Sequence, residues 1–386
     1  MGKFKKTIFG VSLQPFRRLM MVLVIVPYLY GPIGKQDAFC IKYTQLVIHF
    51  IAVAALSAYL VYAHLKRIKE TIYNLDDIFS SIMDGLGFTT LIIAQLIIHL
   101  ESSCKLHAYQ KIFNKFEQMR TWLMQKFAIQ FEITKLKFYA TLLQIHFTLY
   151  CGLIFFFMTW LIFEPVPTMR LLLCLYAEIV LKVKLFEYML FVIVFLVMLS
   201  ELCRAANRQC QLVESTRFDS SVQRQECLMG FIALQDLHAL LWENVQLLTA
   251  YFEWSLPSLF TKQLIDLTLL AYWAFLNIEI GKSEVIKYYL IAFWIMQIFT
   301  LMVACFICST CERSERKFRS SFRTIFKDRQ NPLLMKCVHS ISMQLWQEPI
   351  TFVAGHFLTI NIRTLGKYFF TVAMYIVILI QFRLSV

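Results

Sequence analysis

Cys305, Cys308 and Cys311 form a C-x2-C-x2-C run, and thiolates at that spacing can hold zinc or an iron–sulfur cluster. No further cysteine completes either pattern nearby, and the first two lie in an apolar stretch. Small packing residues are the simpler reading, with reversible acylation near a membrane face as the reactive alternative. No metal site is expected. Gly281-Lys282-Ser283 resembles the end of a phosphate-binding loop, but Leu276 stands where that loop needs its first glycine, so this is a turn. The sequence holds no metalloprotease helix, nucleophile elbow or kinase-type loop. No catalytic residue, no cofactor and no enzymatic activity are expected.

The groups that are left could bind rather than react. Glu178, Lys182, Lys184 and Glu187 interrupt an otherwise apolar run, where ionisable side chains are costly and mark functional candidates. Glu178 and Lys182 are also spaced as an ordinary i,i+4 pair, and a helix end projecting beyond a bilayer would house all four cheaply. Both readings stay open, for these residues and for Asp84. Aromatic residues crowd the same regions: Phe155, Phe156, Phe157 and Trp160; Tyr176, Phe186 and Tyr188; Tyr272 and Trp273; Tyr288, Tyr289, Phe293 and Trp294. Interfacial belts account for such residues singly. A pocket between helices would use the same types with a few polar groups.

Membrane-spanning helices must position these residues. Of 386 residues, 59% are hydrophobic and 16% are charged, and the mean hydropathy is +0.60. A soluble domain carries about a quarter charged residues. The apolar runs lack the dyad alternation of an outer-membrane barrel. Gly (11) and Pro (8) are scarce, and continuous helices satisfy their own backbone in lipid. Seven runs can cross, or nearly cross, a hydrocarbon core of about 30 Å: 43–65, 78–100, 138–163, 171–202, 259–278, 285–308 and 365–382. A shorter run at 19–32, broken by Pro27 and Pro32 and preceded by Arg17 and Arg18, reads as a helix lying on or dipping into the membrane. Lys3, Lys5 and Lys6 are not followed by a small-residue cleavage site, so no cleaved signal peptide is expected.

The net charge of +13 is then a property of loops facing the cytoplasm and anionic lipid, and no nucleic-acid partner is expected. With a cytoplasmic N-terminus, inside segments collect Lys105, Lys111, Lys115, Arg120, Lys126, Lys135 and Lys137, then Arg204, Arg208, Arg217 and Arg224, and finally the basic run from Arg313 to Lys336. Outside connections hold only Lys66, Arg67, Lys69, Arg170 and Lys282. That imbalance predicts a cytoplasmic N-terminus and an extracellular C-terminus, opposite to a G-protein-coupled receptor. Outside connections are short (164–170, 279–284), whereas the inside stretch 228–252 suits an amphipathic helix running into the fifth span, with Pro257 at the join. The expected fold class is an all-α membrane protein of seven transmembrane helices, their cytoplasmic ends packed into an anchor region. The 11 scattered cysteines do not suggest a disulfide framework.

The C-terminal stretch carries Ala354-Gly355-His356-Phe357, then Asn361-Ile362-Arg363-Thr364-Leu365, then Met374-Tyr375, five apolar residues and Gln381-Phe382. This resembles the signature of the insect gustatory receptor family, whose last helix carries Thr-Tyr, five hydrophobic residues and Gln-Phe. Met374 stands in place of the usual threonine; the other elements match in order and spacing. The resemblance implies a tetrameric, ligand-gated cation channel in the plasma membrane of sensory neurons, with residues 1–386 forming one subunit. Residues 43–309 would supply six helices whose outer halves bind ligand, and 330–386 an inner helix plus a pore-lining seventh.

In that reading Gln381, Phe382, Ile378 and Tyr375 belong to the pore and gate. The Gln381 amide replaces some ion hydration, Phe382 plugs the conduit, and Tyr375 packs on a neighbouring helix; an interhelical hydrogen bond is the alternative role for Gln381. The tastant would bind among Asp84, Phe156, Trp160, Tyr176, Tyr188, Trp273, Tyr289 and Trp294. Implied partners are a small-molecule tastant, identical or related subunits, and membrane lipid. Sugar-sensing members tend to carry an acid after the tyrosine, where this chain has Ile376, which points to bitter or other aversive compounds. A sugar receptor and an insect odorant receptor of the same architecture are the alternatives. The predicted topology argues against a G-protein-coupled receptor, and the absence of half repeats against a transporter.

Overall fold

The computed structural model describes residues 78–129, 131–161, 168–215, 221–279, 284–322, 332–356 and 358–385, with scattered positions between 47 and 66. From Ile78 onward the described residues form nine helices: α1 (Ile78–Cys104), α2 (Leu106–Phe127), α3 (Ile133–Leu161), α4 (Thr168–Ser215), α5 (Ser221–Tyr251), α6 (Ser255–Glu279), α7 (Glu284–Ser321), α8 (Pro332–Gln347) and α9 (Ile362–Ser385). A two-stranded antiparallel hairpin, β1 (Val353–Ala354) and β2 (Leu358–Thr359), separates the last two. The expected surface helix at 19–32 lies outside the described residues. So does part of the first expected span, whose described positions are helical.

Six helices among the described residues are long and apolar enough to cross a membrane, over Gly85–Cys104, Ile133–Phe156, Cys174–Val213, Ser255–Leu276, Ile286–Ser321 and Ile362–Phe382. They fall on the second to seventh expected spans. The central one is α4, which packs against α1, α2, α3, α5, α6 and α7. A helix that is apolar all round belongs in a core, and an apolar 18-residue window of α4 is 89% buried.

At 48 residues α4 is about 72 Å long, more than twice a hydrocarbon core of about 30 Å. The expected run ended at 202. The helix continues to Ser215 because Ala205, Ala206, Cys210 and Val213 keep a buried stripe going through a polar stretch. With 38 residues, α7 is also longer than a bilayer is thick.

Around the end of α4 that passes Leu202, α2, α5 and α8 pack as an additional helical layer. α2 buries Tyr109, Ile112, Phe113, Phe116, Met119 and Leu123 on one side and exposes Lys111, Asn114 and Gln118 on the other. α5 buries Phe231, Leu234, Leu237, His238, Leu241, Val245 and Leu248, the periodic face expected over 228–252. The chain turns at 252–254 before α6 begins.

A single carboxylate holds that turn. Glu101, fully buried, accepts the backbone N–H groups of Trp254 (2.7 Å) and Ser255 (2.9 Å) and the Lys105 ammonium (3.2 Å). It therefore caps the start of α6, where unsatisfied donors and the helix dipole favour a negative charge. Lys105 also reaches the Ala250 carbonyl (2.7 Å) and Glu253 (2.8 Å). Lys105, with His356 adding to it, holds the Glu253 carboxyl below its ordinary range.

The C-terminal motif acquires a physical meaning here. Gly355 sits between the strands at φ 57°, a left-handed conformation that glycine adopts without strain. Asn361 is the N-cap of α9: its side-chain oxygen accepts the Thr364 N–H (3.0 Å) and hydroxyl (3.1 Å). The Ile362 N–H donates to Ser309 Oγ of α7 (3.0 Å). The Ala-Gly and Asn-x-x-Thr elements thus turn the chain and start the last helix.

Candidate ligand site and pore helix

Four spans converge on a belt of polar and aromatic side chains. On α6, Lys262, Gln263 and Asp266 share one face by their spacing. Lys262 is buried and ion-paired with Asp266, and it lies 3.6 Å from Glu178 of α4. Lys182, one turn after Glu178, donates to Gln297 of α7 and sits 5.0 Å from the ring centre of Tyr150 on α3. Gln297 donates to the Tyr150 hydroxyl (3.1 Å), and Gln263 donates to the Gln297 carbonyl (2.9 Å). One turn on, His146 Nε2 and Thr300 Oγ1 are hydrogen-bonded at 2.9 Å.

Buried polar groups in an apolar surrounding are stable only when satisfied, and α3, α4, α6 and α7 satisfy one another here. Gln95 of α1 differs. It is fully buried, and among the described residues its amide has no hydrogen-bond partner. One turn further, His99 stacks on Tyr176 of α4 with ring planes 10° apart, and its Nε2 is 3.3 Å from the tyrosine hydroxyl.

Several aromatic residues expected to bind ligand adjoin this belt. Tyr289 stacks on Phe293 (5.7 Å, 16°), and Phe293 packs on Tyr150 (5.6 Å). Trp294 donates its indole N–H to the Leu267 carbonyl on α6 (3.0 Å). Trp273 lies edge-to-face with Tyr272, farther along α6.

Others are elsewhere. Tyr188 is buried against Phe252 and Cys308 on the side of α4 nearer α5, apart from Tyr289 and Trp294. Phe156 is on an exposed face of α3. Asp84 and Trp160 lie within α1 and α3, but their side chains are outside the described residues.

The solvated-end reading does not hold for three of the α4 charges. Lys182, Lys184 and Glu187 are 5%, 0% and 3% exposed. Lys184 and Glu187 form a separate ion pair (2.9 Å), completed by the Tyr251 hydroxyl 2.8 Å from the Lys184 ammonium. The Cys305, Cys308 and Cys311 side chains are packing residues of α7, all buried.

The sequence reading singled out aromatics and α4 charges but passed over Gln95, His99, His146, Gln263, Lys262, Asp266, Gln297 and Thr300. Their signal was present: polar residues recur at helical spacing inside apolar runs, most plainly at 262, 263 and 266.

α9 is built in two halves. Leu365, Tyr368, Phe369 and Val372 pack on the rest of the chain, and the Tyr368 hydroxyl donates to the Phe260 carbonyl on α6 (2.8 Å). Among the described residues beyond Val372 none is buried, and an apolar 18-residue window of the helix is only 6% buried. Tyr375, Ile378 and Phe382 follow at i, i+3 and i+7 and are each about half exposed. Gln381 is also exposed and lies on the side of the helix opposite Val372, whereas Tyr375 is one turn on from Val372 on a neighbouring face.

The whole arrangement has counterparts. A family model described as 7tm Chemosensory receptor matches residues 13–386. "Putative gustatory receptor 98a" of Drosophila melanogaster is 29% identical over 393 aligned positions, covering 100% of this chain and 94% of that protein. The structure is similar to that of the olfactory receptor OR5 from Machilis hrabei in complex with eugenol, with a TM-score of 0.70 at 12% identity over 97% of this chain and 99% of that one. A second OR5 structure gives a TM-score of 0.68. At that identity the likeness is one of fold. The match over nearly the whole length decides the family: the chain is a multi-pass membrane protein belonging to the 7tm chemosensory receptor family.

Proposed function

We propose that the chain is one subunit of a tetrameric, tastant-gated, non-selective cation channel in the plasma membrane of a sensory neuron. The observation that carries this reading is α9, an apolar spanning helix with no buried residue among those described beyond Val372. Four copies about an axis would cover one another there. Tyr375, Ile378, Gln381 and Phe382 would then line the conduit, with Phe382 as a constriction that closes by dewetting and Gln381 as a ring of amides. The basic residues of the α2–α5–α8 layer support an orientation with that layer in the cytoplasm and the Gln381 end of α9 outside.

The tastant binds in the polar and aromatic belt between α3, α4, α6 and α7, with Gln95 and His99 of α1 beside it. Eugenol, the ligand named for OR5, is a small aromatic molecule of the kind such a belt accommodates. Binding opens the channel only through higher affinity for the open state. The α6 helix is the direct link, because Lys262 and Asp266 lie in the belt and the Phe260 carbonyl holds Tyr368 of α9. Ile376 following Tyr375 supports bitter or aversive compounds over sugars.

Whole-cell recording from cells expressing the receptor, with a ligand panel, tests this. Phe382→Ala is expected to raise basal current, a bias of about 1–2 kcal/mol giving roughly 5- to 30-fold at low open probability. Gln381→Ala is expected to alter relative permeability. Unchanged leak, conductance and selectivity in both variants would remove these residues from the gate.

A further inference from the structure

Between α3 and α7 the structure has an open apolar groove of about 450 Å³, away from the polar belt except for the edge of His146. Its walls include Leu142 and Leu149 of α3 and Phe299 and Phe306 of α7, and its floor is Ile193 and Leu196 of α4. Along α7 it runs from Phe299 to Thr310, about 17 Å at 1.5 Å per residue. That is close to half of a hydrocarbon core of about 30 Å, the depth of one leaflet. The groove therefore has the length of one acyl chain rather than of a compact ligand.

Its end is charged. On α3, Lys135 precedes Leu142 and Leu149 at heptad spacing, on the same side of the helix. On α7, Arg313 and Lys317 continue the lines of Phe306 and Thr310 in the same way. All three basic residues are exposed. Lys135 pairs with Glu132, which also pairs with Arg204; Glu315 is taken by Arg319. Among the described residues no acidic side chain is ion-paired with Arg313 or Lys317. The apolar lining stops where the cations begin, the layout of a phospholipid with its tail in the groove and its phosphate at the mouth.

We infer that the α3–α7 groove is a binding site for an anionic phospholipid, with an acyl chain against Leu142, Phe299 and Phe306 and the headgroup on Arg313, Lys317 and Lys135. The inference rests on the orientation proposed above, which puts the mouth at the cytoplasmic leaflet, where anionic lipids are concentrated. It does not depend on the channel reading.

Native mass spectrometry of the purified full chain in mixed micelles of phosphatidylserine and phosphatidylcholine with matched acyl chains tests it. The wild type is expected to retain phosphatidylserine preferentially. Arg313→Gln and Lys317→Gln should each weaken that retention about fivefold, and Lys111→Gln on the exposed face of α2 should leave it unchanged. Val303→Trp, which fills the groove, should release both lipids. Equal retention of the two lipids, or equal losses in the Arg313 and Lys111 variants, would overturn the site. So would disulfide-linked dimers of Leu142→Cys in a bilayer, which would assign the groove to a second copy of the chain. The readout is bound lipid, so it stands or falls separately from the Gln381 and Phe382 currents.

Discussion

Lys184 illustrates how much depends on single groups inside this bundle. Its ammonium is fully buried, paired with Glu187, hydrogen-bonded to Tyr251 and set 4.0 and 4.5 Å from the ring centres of Tyr251 and Phe252. The pair joins α4 to the turn between α5 and α6, the turn whose other side is capped by Glu101. Removing one partner leaves a buried charge uncompensated, at a cost of about 3–5 kcal/mol. Lys184→Met is expected to lower thermal stability in detergent by that order. The double variant Lys184→Met with Glu187→Leu is expected to recover most of it, because a well-packed apolar pair needs no desolvation. A double variant as unstable as the single one would mean that the ion pair itself specifies the local packing.

Among the elements, α9 is the one whose start and end have different jobs. The hairpin and the Asn361 cap determine where it begins, Tyr368 ties it to α6, and the residues after Val372 are left for other contacts. Loss of an N-cap side chain costs about 1 kcal/mol. Asn361→Ala is therefore expected to destabilise the receptor by about that amount, with Asn361→Asp near wild type, both measured by thermal unfolding. Equal losses for the two would show that Asn361 acts through something other than its acceptor oxygen. The residues recognised in the sequence as a motif are thus partly structural: Gly355, Asn361 and Thr364 shape the entry to the helix, and Gln381 and Phe382 lie on its exposed second half.

At the scale of the whole molecule, the spanning helices and the α2–α5–α8 layer are joined by long helices that belong to both. His238 of α5 lies in that layer, buried and stacked on Phe318 of α7 with planes 6° apart. Burial, with Arg319 adding to it, pushes its imidazole down to about 4. The ring is neutral when folded and takes a proton only on unfolding below about 6.5, so its contribution is intact above 6.5 and lost as pH falls towards 4. The loss amounts to about 3 kcal/mol. Thermal melts are expected to show the wild type losing stability over that window by about this much more than His238→Phe. Parallel curves for the two proteins would rule out His238 as the source.

By itself the sequence determined the helical membrane class, the positions of six of the spans, the amphipathic helix before α6 and the family. Each rests on a local property: runs of apolar residues, a 3.6-residue period, a short motif. The tertiary structure decided which side of an apolar helix meets protein and which meets lipid, because both surroundings select the same residue types and hydropathy has no period to reveal the difference. That is why Tyr188 sits among Cys308 and Phe252 while Tyr289 borders the polar belt, though both are tyrosines in apolar runs. It also decided the partners of the buried polar groups. His146 and Thr300 are 154 residues apart, as Lys182 and Gln297 are 115 apart, and no local pattern encodes such pairs. The length of α4 beyond residue 202 belongs with these: a polar-looking segment stays helical because α5 and α7 bury one stripe of it.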